Sequence, residues 1–271
     1  MNNESPQKAL VVVFSIALVC SILVSVAAVS LRPIQIRNQL VERSRNIVAL
    51  SGLVDPGEDL SADEILAAVT QLDARVIDID TGEFEDSLDA NEFDPRAAVN
   101  DPELGTAIHD DQDGANLGRR SRYEIVHLVW EGDELLRIIL PIVGQGMWST
   151  LYGFIALEAD LNTIAAVSFY EQAETAGLGD QITHASWQAT WQGRELFGSD
   201  GSIRFRVATG PVEAGSAAAR YQVDALTGAS VTAMGVTSLI DYWFGPHGYQ
   251  AFLNNLENNP PVRPVAPRGQ D

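Results

Sequence analysis

The chain of 271 residues has 46% hydrophobic residues and a formal net charge of −20, from 17 Lys and Arg against 37 Asp and Glu. This much apolar content excludes a disordered chain, and the lack of clustered Lys and Arg argues against nucleic acid as a partner. Cys20 is the single cysteine, so an intrachain disulfide and Cys-based zinc or iron–sulfur ligation within the chain are excluded.

Residues 1–8 form a short leader that contains Lys8, and Ala9 to Val29 is an uncharged run rich in Val, Leu, Ile and Ala. A run of about twenty such residues crosses the hydrocarbon core as a helix. Ser25-Val26-Ala27 resembles a signal-peptide cleavage site, but a signal core is only about 7–15 residues long, so the expectation is an uncleaved transmembrane helix over 9–29. Arg32, Arg37, Arg43 and Arg45 follow the span, and on charge alone the positive-inside rule favours a cytoplasmic body. Residues 30–60 read as a helical stalk and linker, with Ile34, Ile36, Leu40, Val41, Ile47, Val48 and Leu50 apolar and a turn at Pro56 and Gly57.

A domain over 61–257 follows. Ser61 and Glu64 form a capping box ahead of a helix from Ala62 to Leu72, and Val76 to Asp80 reads as a short strand that turns at Thr81-Gly82. Asp86 to Asn116 is acidic and loop-rich; its Asp110, Asp111 and Asp113 lack the full twelve-residue calcium pattern, so no metal is expected. Three apolar runs, 125–130, 135–143 and 151–157, are separated by tight turns at 131–133 and 144–146. That spacing favours antiparallel pairing, and with flanking helical patterns the fold class is α+β. Trp187 and Trp191 at i, i+4 belong to the core side of a short helix. Val236, Leu239, Ile240 and Trp243 give a helix over 233–244 that stops at Gly245-Pro246, and residues 249–256 a last one. Residues 258–271 read as a flexible Pro-rich tail.

Three loops carry candidate chemistry. In Asp224-Ala225-Leu226-Thr227-Gly228-Ala229-Ser230-Val231-Thr232, a carboxylate precedes three hydroxyl side chains with Gly228 and Ala229 between them. Gly228 allows φ > 0 and a close approach, which either leaves Ser230 projecting from a thin loop or simply turns a strand end into a helix cap. Gly144-Gln145-Gly146-Met147-Trp148-Ser149 is a turn with two large apolar side chains, and Glu174-Thr175-Ala176-Gly177-Leu178-Gly179 is a glycine-bearing loop after a strand. No Rossmann glycine fingerprint is present, so this chain alone is not expected to oxidise NADH.

Asp224 to Ser230 resembles the flavinylation motif of FMN-binding domains, Asp-x-x-(Ser/Thr)-Gly-Ala-(Thr/Ser), whose last hydroxyl carries FMN as a phosphoester. The other two loops resemble Gly-Lys-Gly-Leu-Trp-Ser and Glu-Thr-Pro-Gly-Leu-Gly. With the anchor, the whole chain resembles the C-type subunit family of sodium-translocating NADH:quinone oxidoreductases, with Ser230 for the usual Thr, Gln145 for Lys and Ala176 for Pro. The resemblance implies a single transmembrane helix followed by an FMN-binding domain with an antiparallel sheet and flanking helices. It implies covalent FMN on Ser230, with Thr232 and Thr227 as rival sites, in a loop with Asp224, Gly228 and Ala229. Met147, Trp148 and Leu178 would wall the ring, while Glu174, Thr175 and Gly177 would face it. No catalytic residue is implied: the chain would relay electrons from an iron–sulfur centre to a second flavin subunit in a sodium-pumping inner-membrane complex. A flavin transferase would mature it, and the body would be periplasmic, against the charge bias. The G-type subunit of the related ferredoxin:NAD⁺ oxidoreductase, and a flavin-free membrane-tethered scaffold, are the alternatives.

Overall fold

The computed structural model describes residues 6–54 and 59–264. The first five residues of the leader, the turn at Pro56 and Gly57, and residues 265–271 of the tail lie outside the described residues. The chain divides into two units, Met1–Arg43 and Ser44–Asp271.

The described residues of the first unit are helical. Helix α1 runs Pro6–Ser51 and is long and apolar enough to cross a membrane. The anchor and the stalk are therefore one helix, and Pro33 lies inside it.

The second unit begins with the last two turns of α1. It continues through α2 (Ala62–Val69), β1 (Asp73–Asp78), α3 (Pro95–Ala98), β2 (Gly105–Ala107), β3 (Arg119–Ser121), β4 (Tyr123–Glu131), β5 (Glu134–Gln145), β6 (Thr150–Glu158) and β7 (Ile164–Glu171). A 3₁₀ turn (Gly179–Thr183), α4 (Ala185–Gln188), a second 3₁₀ turn (Ala189–Trp191), β8 (Arg206–Val207), a third 3₁₀ turn (Ala218–Arg220), β9 (Gln222–Val223), α5 (Ser230–Trp243) and α6 (Gln250–Asn258) complete it. At α2 the expected capping box is in place, with the Ser61 N–H donating to Glu64 Oε2 at 2.8 Å. The helix ends at Val69, short of Leu72, which instead leads into β1.

The core is one antiparallel sheet in the order β1-β4-β5-β6-β7. Its inner strands carry long apolar runs, 135–143 in β5 and 151–157 in β6 with Arg137 the one charge among them, because both faces of the sheet are covered there. Side chains alternate between faces, so Leu128, Ile138, Leu140, Ile155 and Leu157 meet α5 and α6 on one side. Val129, Ile139, Phe154 and Ala156 meet Ile47 and Leu50 of α1 on the other. Burying each large aliphatic or aromatic side chain of this kind stabilises the fold by roughly 1.5–3 kcal/mol.

The acidic insert between β1 and β4 carries more structure than its composition suggests: α3 and the β2–β3 pair lie within it or at its end. Its base is fastened by Arg122 to Asp78 at 2.7 Å and by Arg120, which reaches Asp80 at 2.6 Å and the Tyr242 hydroxyl of α5 at 3.1 Å. Asp113 is used locally, accepting from the N–H groups of Leu117 and Gly118.

Helix α5 crosses the end of β5 at close range. A Cβ on Gly144 would stand 2.5 Å from Leu239 Cβ, and one on Gly235 would stand 2.4 Å from the Gln145 carbonyl oxygen. The Trp243 indole N–H donates to the Val143 carbonyl at 2.6 Å and fixes the helix along the strand. The start of α5 is thereby brought beside the turn that follows β5.

Candidate functional site

Four pieces converge at the N-terminus of α5: the turn 146–149 between β5 and β6, the loop 172–181 after β7, the loop 224–229, and the first helical turn. The helix begins three residues before Ala233, so Ser230 is its first residue, and it is exposed there. Ala229 is the N-cap and makes no side-chain cap bond, so the first-turn N–H groups have no partner of that kind. Gly228 has φ +75°, and a Cβ there would lie 2.9 Å from Leu178 Cδ2, so the two loops touch at this glycine. The Gln181 side-chain amide joins them again by donating to the carbonyls of Leu178 at 2.6 Å and Thr227 at 3.1 Å.

Glu174 is the polar centre of the group. Its carboxylate accepts from the N–H groups of Met147 (3.1 Å), Trp148 (3.0 Å) and Ser149 (3.1 Å), from Ser149 Oγ (3.0 Å) and from Thr232 Oγ1 (2.6 Å). Burial pushes its pKa up, but the donors, Thr232 first, outweigh that and leave it below the usual glutamate value. Two glycines make the space, because a Cβ on Gly146 would sit 2.6 Å from Glu174 Oε1 and one on Gly179 2.7 Å from Thr232 Oγ1. The side chain therefore faces inward to these donors and not outward to solvent. Thr175 and Gly177 are exposed on the same loop, Gly177 at φ +76°.

The surface around Ser230 is apolar. Trp148 is 67% exposed, Met147 49% and Leu178 41%, and Val231 and Met234 of α5 are 45% and 60% exposed. Among the described residues beyond α1, the other large exposed hydrophobics are Leu53 and Val262. Val231 and Met234 are absent from the candidates named above, although their signal was available: both lie off the buried stripe of a helix whose other apolar residues define its core face.

A cleft of about 860 Å³ borders α5 and is lined by Asp224, Thr227, Gly228, Ser230, Met234 and the segment 206–211, among others. Asp224 fastens its walls, accepting from the Val212 N–H at 2.7 Å through Oδ1 and from the Trp187 indole at 2.9 Å through its carbonyl. Arg206 supplies a guanidinium there, paired with Asp241 at 2.8 Å. Among the described residues no cluster of His, Cys, Asp or Glu is placed to hold a metal ion.

Residues 146–245, which hold every piece of this site, match the FMN-binding domain family. The chain is 41% identical over 256 residues to the C-type subunit of the Na(+)-translocating NADH-quinone reductase of Pseudomonas aeruginosa, covering 94% of this chain and 97% of that one. The chain belongs to the C-type subunit family of Na(+)-translocating NADH-quinone reductases. Its identity to the corresponding protein of Vibrio anguillarum is 39% over 257 residues, covering 95% and 97% of the two chains. The crystal structure of Shewanella oneidensis NqrC superposes with a TM-score of 0.72 at 32% identity, over 82% of this chain and 98% of that one. The C-type subunit of Parabacteroides distasonis gives 0.59 at 25% identity, over 82% and 96% of the two chains. As a member of this family the chain is one subunit of a larger enzyme, and its one apolar N-terminal helix fits a single-pass inner-membrane protein.

The residues present fit FMN on their own chemistry. A helix N-terminus with free N–H groups favours a phosphate, an exposed hydroxyl stands at that point, and flat or flexible apolar side chains lie within reach for a ring.

Proposed function

We propose that this chain is the relay subunit of its complex and holds FMN through a phosphoester on Ser230. The observation that carries the reading is a contrast between two hydroxyls two residues apart. Ser230 is exposed at an uncapped helix start, whereas Thr232 is 1% exposed and donates its hydroxyl to Glu174. Thr227 is exposed too, but it precedes Gly228 and lies outside the first turn, away from the free N–H groups.

In this reading a flavin transferase joins Ser230 Oγ to the phosphorus of a flavin nucleotide donor, with loss of the hydroxyl proton and of the donor's leaving group. The N–H groups and positive dipole end of α5 then offset the phosphate charge. Leu178, Trp148 and Met147 would shield the ring from water, and Asp224, Thr227, Gly228 and Ala229 would shape the loop that leads to Ser230. Bound FMN supplies one- and two-electron redox chemistry. The relay runs from an iron–sulfur centre to a second flavin subunit, and a covalent link keeps the carrier from dissociating between turnovers. Peptide mapping of the full chain, co-expressed with the transferase, tests the attachment: the flavin mass is expected on the peptide holding Ser230, and a flavin-free chain defeats the reading.

In the same reading the body lies outside the cytoplasm. Arg32, Arg37, Arg43 and Arg45 oppose this on charge, yet long domains translocate largely regardless of flanking charge. Those arginines then meet acidic lipid head groups or neighbouring subunits on the outer face. Alkaline phosphatase fused after Asp271 is expected to be active; an inactive fusion beside a fully active cytoplasmic reporter at the same place reverses the topology.

A further inference from the structure

We propose that Glu174 is a positioning residue, whose carboxylate locks the turn 146–149 and the loop 174–179 onto the first turn of α5 and so sets how the walls stand around Ser230. The inference rests on the reading of Ser230 as the attachment residue. Three donors are consecutive N–H groups of a turn whose Met147 and Trp148 side chains are exposed, and a fourth is the Ser149 hydroxyl, which also accepts the Ala173 N–H at 2.8 Å. The fifth, Thr232, belongs to α5. One side chain therefore joins its own loop to segments 25 and 58 positions away in the chain. All five donors are uncharged, so the carboxylate orders the backbone without the freedom of an exchangeable ion pair.

The bond to Thr232 also fixes rotation. Residues at i and i+2 of a helix point to different faces, so holding Thr232 inward directs Ser230 away from Glu174. The carboxylate thereby stays clear of the phosphate that it helps to place. The missing side chains of Gly146 and Gly179 leave the room this arrangement needs, since a Cβ at either would meet Glu174 or Thr232 at under 3 Å.

The test uses the full chain in detergent, with and without co-expressed flavin transferase, as Glu174→Gln and Thr232→Val. Gln keeps the volume and one acceptor oxygen but turns the other position into a donor facing the Met147 N–H. In Glu174→Gln, hydrogen exchange at the amides of 147–149 is expected to quicken about tenfold, which corresponds to roughly 1.4 kcal/mol of lost protection. Amides of β5 at 138–142, proline 141 aside, should be unchanged, showing an intact sheet. The flavin should remain on Ser230, with emission raised about twofold as its walls loosen. Thr232→Val should raise emission while leaving 147–149 protected, because only the α5 link is cut. Unchanged exchange at 147–149 in Glu174→Gln, or faster exchange with unaltered flavin emission in both variants, overturns the proposal. Wild-type flavin on a residue other than Ser230 defeats the attachment reading instead, and the exchange measurement then still decides the clamp.

Discussion

Ser230→Ala is expected to fold, reach the membrane and lose covalent flavin completely. Ser230 is exposed and is not used as a side-chain cap, so its removal should change stability by no more than about 0.5 kcal/mol. What it removes is the exposed hydroxyl at the start of α5. On a denaturing gel under ultraviolet light the wild-type band should fluoresce and the variant band should not, while Ser230→Thr should restore the signal. Transfer to Thr232 would require its hydroxyl to leave the 2.6 Å bond to Glu174 and emerge from the interior, so no slow substitute is expected there. A fluorescent Ser230→Ala band would overturn the assignment and point to Thr227 or Thr232.

Gly235→Ala should produce the second large effect, through packing. In an isolated helix this change is worth about 1 kcal/mol in favour of alanine. Here the new Cβ would meet the Gln145 carbonyl oxygen at 2.4 Å and Gly146 Cα at 3.3 Å, and both belong to backbone that cannot rotate aside. Overpacking costs about 1–3 kcal/mol, and against rigid backbone at this distance the upper end applies, so after the helix preference is subtracted a net loss of about 2 kcal/mol is expected, or a fall of about 4–8 °C in the midpoint for a domain of this size. Thermal unfolding of the full chain by circular dichroism reads it. Met234→Ala, one residue earlier but 60% exposed, serves as control and should move the midpoint little. An unchanged or raised midpoint in Gly235→Ala would mean that α5 does not lie on the end of β5 at this distance.

The sheet was legible because its central strands are buried on both faces, which writes 125–130, 135–143 and 151–157 as plain apolar runs. The capping box at Ser61 and Glu64 was legible because it is local. Elements held together only by distant partners left no such trace. The β8–β9 pair has two residues per strand and therefore no period, and α4 is four residues long before Trp191 falls in a 3₁₀ turn. The hydroxyl cluster at 224–232 was visible and the motif it resembles favours Ser230 by position, yet nothing local shows that Thr232 is withdrawn from solvent. The difference lies in Glu174, 58 positions away from Thr232. A carboxylate in a glycine-bearing loop looks like a group meant for a ligand, and its real surroundings come from residues 147–149 and 232. Resemblance supplied the position of the loops; burial and hydrogen bonding supplied their division of labour.

Ala176 stands in the middle of the loop that bears Glu174 and Leu178, where the motif it resembles carries proline. Without a ring to fix φ, the unfolded chain keeps its full freedom at that position, and the shape of the loop rests on the hydrogen bonds of Glu174 and Gln181 and on the Leu178 N–H donating to Thr175. Contacts of that kind open locally at lower free energy than a sheet core does. Warming or dilute urea should therefore loosen the grip around Ser230 well before the strands part. A carrier retained only by that grip would be shed with each opening, whereas one fastened through Ser230 would swing out and return. With FMN fastened on Ser230 as proposed, retention and grip would be separable properties, and the loop would be free to trade rigidity for access.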